Sequence, residues 1–151
     1  MLQLKIERTK DKTGKEIWGY TLFLNGRVLK EEIKYGRLRD DDTLVQKFIR
    51  CYTWAFERVS GYLSTGEYSD EVLKVFFSCN TVYTWFEKGK ALSIYREAFR
   101  NMLSKFDMVQ VAKIQYYKAD RSWNYKDRLK SDNITKEIYT SCLSFLDDVE
   151  N

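Results

Sequence analysis

The sequence predicts an α/β fold in which a mixed five-stranded sheet, with three antiparallel strands and then parallel strands, is flanked by helices. Three observations predict it. Alternating apolar and polar residues open the chain and lead into an Asn-Gly turn. A continuous apolar run follows the first long helical pattern. Further helical patterns are separated by one more strand pattern, as in crossover connections between parallel strands.

The first three strand patterns follow one another through short turns. Apolar and polar residues alternate over 2–7, which is the period of a half-buried strand. A second strand over 16–24 is separated from a third over about 27–35 by Asn25-Gly26. This dipeptide adopts the positive φ angles of a tight hairpin turn. The second and third strands are therefore expected to be antiparallel.

A long helix and a central strand come next. Apolar residues recur at three- and four-residue spacing over about 42–62, which predicts a first helix. The aspartates at 40–42 come directly before it, and we expect one of them to be its N-cap. The run Val72–Phe77 is continuously apolar except for one lysine. Such a run is typical of a central, parallel strand that is buried on both faces.

The remainder of the chain alternates helix, strand and helix. A short helix over 80–87 precedes an amphipathic helix over about 91–106. A fifth strand is predicted over 109–117, and a polar, aromatic-rich connection over 118–131 leads to a last helix with periodic apolar residues over 134–149. No internal repeat, proline-rich linker or low-complexity tract divides the chain, so we expect a single domain over 1–151.

Composition narrows the classes of protein. The 151 residues are 44% hydrophobic and 16% aromatic, which is ample for one core. No run of about eighteen apolar residues is present, and charges interrupt the N-terminal segment, so we expect a cytoplasmic protein without a membrane span or signal peptide. The net charge of +4 permits nucleic-acid binding without requiring it.

The cysteines and the absence of histidine restrict the catalytic and metal-binding chemistry that the chain could perform. The three cysteines, Cys51, Cys79 and Cys142, are odd in number and lie in apolar segments, which favours free thiols over disulfides or a zinc cluster. The chain has no histidine. This excludes histidine-based nucleophilic triads and imidazole metal ligands, so any metal would need oxygen ligands.

The order of elements resembles the ribonuclease H-like superfamily from Leu2 to about Val149. Three segments strengthen the resemblance: Trp18-Gly19-Tyr20 at the start of the hairpin, Val75–Val82 followed by Trp85-Phe86, and Asn124–Leu129. They are similar to the family's glycine and aromatic hairpin, to its apolar strand with a turn and short helix, and to the segment that begins its final helix.

The resemblance implies a specific chemistry. The family uses four carboxylates to hold two divalent cations, one activating a water and the other stabilising the leaving oxygen of a phosphodiester. Magnesium or manganese would be the cofactor, because these hard cations prefer oxygen ligands. Two of the four positions are occupied by other residue types. They are Val45, Gln46 and Lys47 in the first helix, and Ser78, Cys79 and Asn80 after the fourth strand.

Two carboxylates remain as candidates for catalysis. Glu7 lies on the first strand, and Asp127 lies at the start of the final segment, one residue short of the family's spacing from Asn124. Each has a simpler interpretation, Glu7 as a solvated strand residue and Asp127 as a charge favourable to a helix N-terminus. The aspartates at 40–42 are explained by capping and solvation. The expected carboxylate set is therefore incomplete, which favours a protein that is not an enzyme.

One stretch has the composition of a nucleic-acid-binding surface. Basic side chains that pair with phosphates alternate there with aromatic rings that stack on bases. Its residues are Lys118, Arg121, Trp123, Tyr125, Lys126, Arg128 and Lys130. The alternative is that the aromatic residues anchor a loop on the core while the charges are solvated. A weaker basic strip follows the third strand: Arg27, Lys30, Lys34, Arg37 and Arg39.

Three hypotheses follow. The first is a non-catalytic binding module on a ribonuclease H-like scaffold, contacting nucleic acid or a nucleic-acid-handling protein. The second is a divergent metal-dependent nuclease that uses Glu7, Asp127 and a further acid such as Asp120. The third is a protein-only interaction module, such as a small effector or inhibitor, with exposed aromatic residues as anchors.

Overall fold

The computed structural model describes residues 1–119. In chain order its elements are β1 (Leu2–Lys10), β2 (Glu16–Leu24), β3 (Arg27–Tyr35), α1 (Leu44–Leu63), β4 (Val72–Phe77), α2 (Asn80–Lys88), α3 (Arg96–Ser104) and β5 (Lys113–Lys118). A single 3₁₀ turn, Ser93–Tyr95, leads into α3. The predicted last helix and nearly all of the connection before it lie outside the described residues.

The strands form one sheet in the order β3-β2-β1-β4-β5. β1 pairs antiparallel with β2, and β2 with β3, whereas β4 is parallel to both β1 and β5. The predicted mixed five-stranded sheet is confirmed. At the turn between β2 and β3, φ is 50° at Asn25 and 83° at Gly26. These are the two positive φ values that a tight hairpin requires.

The core lies between one face of the sheet and the helices α1, α2 and α3. Phe56 of α1 is fully buried in it, with its ring centroid 4.4 Å from that of Phe106 and 5.8 Å from that of Phe86. Burying a side chain of this size contributes about 1.5–3 kcal/mol. Many of the chain's aromatic side chains therefore pack in the core. Between residues 1 and 119, no helix has the length and apolar character needed to cross a bilayer.

The N-cap of α1 corrects the sequence prediction, because Thr43 takes that position instead of an aspartate. The Thr43 hydroxyl accepts a hydrogen bond from the Gln46 N–H at 3.2 Å, and the Gln46 side chain accepts one from the Thr43 N–H at 2.7 Å. This reciprocal pair satisfies two amides at the helix start. Asp42 binds Arg50 instead, through hydrogen bonds of 2.7 and 3.1 Å.

Two predicted boundaries were also wrong. β5 begins at Lys113 instead of 109, because the Gln110 N–H donates to Leu63 and the Ala112 N–H donates to Glu71, so neither amide pairs with β4. The third helix begins at Arg96 instead of 91. Gly89, with φ 73°, ends α2, and the chain needs several residues to turn before α3 can start.

β4 is central and parallel as predicted, but only one of its faces is fully buried. Leu73, Val75 and Phe77 point into the core, whereas Lys74 and Phe76 on the other face are half-buried. Burial therefore alternates along the strand, although its sequence is almost continuously apolar.

Candidate functional site

The carboxyl ends of β1 and β4 meet at one edge of the sheet, because the two strands are parallel neighbours. Tyr52 of α1 reaches this edge and contacts Ser78, which directly follows β4. We call this region the carboxyl edge. The resemblance places catalytic carboxylates there, on the first strand, on the first helix and after the fourth strand.

A basic residue of β1 lies at the carboxyl edge. Arg8 pairs with Trp18 across the β1–β2 ladder, and its guanidinium lies 5.1 Å from the ring centre of Phe48 in α1. It forms an ion pair with Glu16, whose Oε1 also accepts the Trp18 indole N–H at 3.1 Å and whose Oε2 accepts a hydrogen bond from Arg8 Nη2 at 3.2 Å. The Arg8 and Glu16 side chains are only 12% and 4% exposed. The Glu16 carboxylate is therefore neutralised by a guanidinium rather than available to a metal ion.

Glu7 lies on the other face of the sheet. It pairs with Gly19, and side chains alternate along a strand, so its carboxylate points away from the face that carries Arg8. It is 8% exposed, so it is not the solvated residue of the simpler interpretation. Its backbone carbonyl accepts a hydrogen bond from the Cys51 thiol at 3.6 Å. Asp127, the other candidate for catalysis, lies outside the described residues.

Tyr52 of α1 contacts the two residues that follow β4. Its hydroxyl accepts hydrogen bonds from the N–H groups of Ser78 and Cys79, both at 3.0 Å, and lies 3.1 Å from the Ser78 hydroxyl oxygen. Burial raises the pKa of Tyr52 well above its ordinary value, so the phenol stays neutral. The amides of Ser78 and Cys79 therefore already have an acceptor.

The cysteines near this edge are buried. Cys51 is fully enclosed, and desolvation raises the pKa of its thiol well above the ordinary value. Cys79 is 9% exposed at the start of α2. Because the chain has no histidine to deprotonate it, Cys79 lacks the usual partner of a nucleophilic cysteine.

Acidic residues do not converge within the described part of the chain. Among residues 1–119, no three Asp, Glu or Cys side chains are grouped as metal ligands would be. In the aspartate run, Asp42 accepts the Arg39 N–H at 2.9 Å as well as the Arg50 guanidinium. Hydrogen bonding to Arg50 lowers the pKa of Asp42, so this carboxylate is held by the protein's own cation.

A basic and aromatic surface lies beside the carboxyl edge, on the strands β4 and β5. Tyr117 is 36% exposed, and its ring stacks on Phe76 with centroids 5.5 Å apart. The Lys74 ammonium lies 5.4 Å from the Tyr117 ring centre. Lys118 is exposed but pairs in register with Phe77, so its side chain lies on the opposite face of the sheet from Tyr117. We call Lys74, Phe76 and Tyr117 the β4–β5 surface.

The β4–β5 surface leads directly into the predicted binding stretch. Of that stretch, only Lys118 is among the described residues. The other six, Arg121, Trp123, Tyr125, Lys126, Arg128 and Lys130, lie outside them. Sequence analysis missed Lys74, Phe76 and Tyr117. A period of two along 72–77 could have placed the first two on one face, but the run was interpreted as buried on both faces.

Two of the five residues of the weaker basic strip contact aromatic rings, whereas a third, Arg27, is exposed. The Lys30 ammonium lies 5.4 Å from the Tyr62 ring centre, and the Lys34 ammonium lies 5.6 Å from rings of both Trp18 and Trp54. These lysines therefore cover the side of α1 instead of forming a separate cationic surface. Arg37 and Arg39, after β3, are exposed.

No protein-family model and no curated protein matches the chain. Solved structures do. Ribonuclease H1 from Halobacterium salinarum superposes with a TM-score of 0.54 at 12% identity, covering 80% of this chain and 86% of that one. The N-terminal RNase H domain of a Mycobacterium tuberculosis protein gives 0.56 at 11% identity, covering 94% and 97%. LC11-RNase H1, isolated from compost and solved with an RNA/DNA hybrid, gives 0.57 at 13%, covering 83% and 88%. At such low identity the likeness establishes the architecture alone: the chain has a ribonuclease H-like fold.

Proposed function

We propose that this protein is a non-catalytic module that binds nucleic acid on a ribonuclease H-like scaffold. The observation that carries the proposal is the β4–β5 surface. It joins the exposed Tyr117 ring to the half-buried Lys74 and Phe76 beside the carboxyl edge, and the basic and aromatic stretch that begins at Lys118 follows directly. Carboxyl ends of parallel strands are common ligand sites in α/β folds.

The chemistry of the carboxyl edge supports a role without catalysis. A two-cation mechanism needs several ionised carboxylates close together. Here Arg8 forms an ion pair with Glu16. The Tyr52 hydroxyl accepts hydrogen bonds from the two backbone amides that follow β4. A cation at this edge would meet a guanidinium and a neutral phenol.

The β4–β5 surface suits a single strand or the backbone of a duplex. Lysines attract phosphates at a strength that falls with salt concentration. An exposed ring such as Tyr117 stacks on a base, a contact worth about 1–3 kcal/mol per base. The complex of LC11-RNase H1 with an RNA/DNA hybrid makes such a hybrid a natural ligand to test on this chain.

Fluorescence anisotropy with labelled single-stranded RNA, single-stranded DNA and hybrid duplex tests the proposal. We expect binding that weakens between about 50 and about 200 mM salt. Tyr117→Ala and Lys74→Ala should each weaken it several-fold. Lys88→Ala is the matched control, because this exposed lysine lies at the far end of α2 from the carboxyl edge and its loss should change little.

Two outcomes would reject the nucleic-acid assignment. One is the absence of binding to all three ligands at low salt. The other is binding that falls equally for Lys74→Ala and Lys88→Ala, which would mean attraction by net charge alone. In the first case, the remaining version of the hypothesis is contact with a nucleic-acid-handling protein.

A further inference from the structure

An open groove of about 800 Å³ runs along the outward side of α1, separate from the β4–β5 surface. Arg37, just after β3, lines one wall. Trp54 of α1 also lines the groove. Ile94 and Tyr95, which lie just before α3, complete the lining on the other side. This volume is within the range that encloses a drug-sized ligand or the side chains of a short peptide.

The groove exposes unusual apolar surface. Ile94, which lines it, is 80% exposed. The Trp54 ring is held in place by Tyr20 and Trp18, with ring centroids 5.3 and 6.1 Å away. A rigid aromatic ring beside an exposed aliphatic side chain is typical of the anchor pockets at protein interfaces.

The charges of the groove disfavour a polyanion. Arg50 lines it but is bound to Asp42, and Glu57 lines it but lies 3.6 Å from Lys105. Arg37 is exposed, and it is the lining cation for which residues 1–119 provide no ion-pair partner. One available cation is too little to follow a phosphate backbone, but it is enough to pair with one carboxylate.

We propose that this groove docks a short segment of a partner protein, with a large apolar side chain held between Trp54 and Ile94 and an acidic residue paired with Arg37. The proposal is independent of nucleic-acid binding. It adds a protein-interaction site on the opposite side of α1 from the core, so one molecule could bring a partner protein to a nucleic acid bound at the β4–β5 surface.

Selection of short peptides from a random display library on the intact chain, followed by fluorescence polarisation of synthesised winners, tests this docking site. We expect winners that combine bulky apolar residues with Asp or Glu. Ile94→Asp should weaken their binding about tenfold or more, the loss typical of an interface anchor. Arg37→Glu should weaken it several-fold. Because Ile94 is exposed, Ile94→Asp is expected to fold normally.

Two control variants separate this site from other surfaces. Met108→Asp changes an apolar side chain that is 70% exposed but does not line the groove, and it should leave peptide binding unchanged. Tyr117→Ala, which tests nucleic-acid binding, should also leave it unchanged. Failure of either proposal is therefore distinguishable from failure of the other.

Three results would overturn the docking site. The first is that no peptide is enriched over an unrelated protein. The second is that the winners bind Ile94→Asp as well as the unchanged chain. The third is that a photo-crosslinking residue at position 94 attaches to residues 120–151 of the same chain, which would make the groove an internal contact.

Discussion

Arg8 and Glu16 form the ion pair on which the non-catalytic account depends, and both side chains are nearly buried. Glu16→Gln removes the charge that compensates the guanidinium. We expect it to lower the free energy of unfolding by about 3 kcal/mol, because an unpaired buried charge is costly. Urea denaturation followed by circular dichroism measures this value.

An exposed ion pair supplies the control for that prediction. Glu57 lies 3.6 Å from Lys105 and its side chain is 66% exposed. Glu57→Gln should change the free energy of unfolding by less than about 1 kcal/mol, since solvent screens such pairs. Equal losses for the two substitutions would contradict the buried ion pair at the carboxyl edge.

The contact between Glu32 and Arg58 predicts that the free energy of unfolding depends on pH. Arg58 donates two hydrogen bonds to it, at 2.9 and 2.6 Å, and lowers the pKa of its carboxyl from 4.5 to about 2. A lowered pKa in the folded state stabilises the protein fully above about pH 4.5, and this contribution is lost as the pH falls toward 2. The difference in unfolding free energy between the unchanged chain and Glu32→Gln should therefore shrink over that interval.

Urea titrations at neutral pH and at several acidic values measure this difference. Comparison with the Gln variant cancels the effects of other carboxyl groups on acid stability. A difference that stays constant from neutral pH to pH 3 or so would mean that the Glu32–Arg58 contact does not stabilise the fold.

Single residues of the carboxyl edge were the hardest to predict from sequence. Arg8 and Glu16 are ordinary charged residues of two strands, and only the β1–β2 register brings them together. Tyr52 belongs to an apolar helical pattern that predicts burial but not a hydroxyl contact at the end of β4. That the family's carboxylates are replaced at 45–47 and 78–80 stays a prediction, made from residue type alone.

At the scale of elements, α1 gives the clearest test, because the structure moves its N-cap from the aspartates to Thr43. Thr43→Ala removes the acceptor for the Gln46 N–H. We expect a loss of about 1 kcal/mol in the free energy of unfolding, the usual effect of deleting a cap. Urea denaturation measures it.

Asp40→Ala is the matched control at the same helix end. Asp40 is exposed and precedes the cap by three residues, so its substitution should change stability by less than about 0.5 kcal/mol. If Asp40→Ala cost as much as Thr43→Ala, the aspartate cap of the sequence prediction would be correct after all.

Elements with a strong hydrophobic period could be predicted from the sequence. The residues at which they begin and end could not. The alternation in β1 predicted that strand, and the Asn25-Gly26 turn predicted the hairpin of β2 and β3, because positive φ at two consecutive residues suits few dipeptides. The start of β5 was missed since backbone amides at 110 and 112 bond to distant carbonyls. No local pattern reveals such a partner.

At the scale of the whole molecule, the order of strands and helices predicted the fold, whereas the groove could not be predicted. Its walls come from Arg37, Trp54 and Ile94, which are far apart in the chain and meet only after folding. The β4–β5 surface arises in the same way, from neighbouring parallel strands that carry Phe76 and Tyr117.

The most direct test of the central claim is a single-turnover time course with a labelled RNA/DNA hybrid, protein in excess, and magnesium or manganese present. Because a guanidinium and a neutral phenol occupy the carboxyl edge, we predict that the hybrid stays at full length on a denaturing gel. Cleavage that requires the metal and is abolished by Asp127→Asn would contradict the account and establish a divergent nuclease.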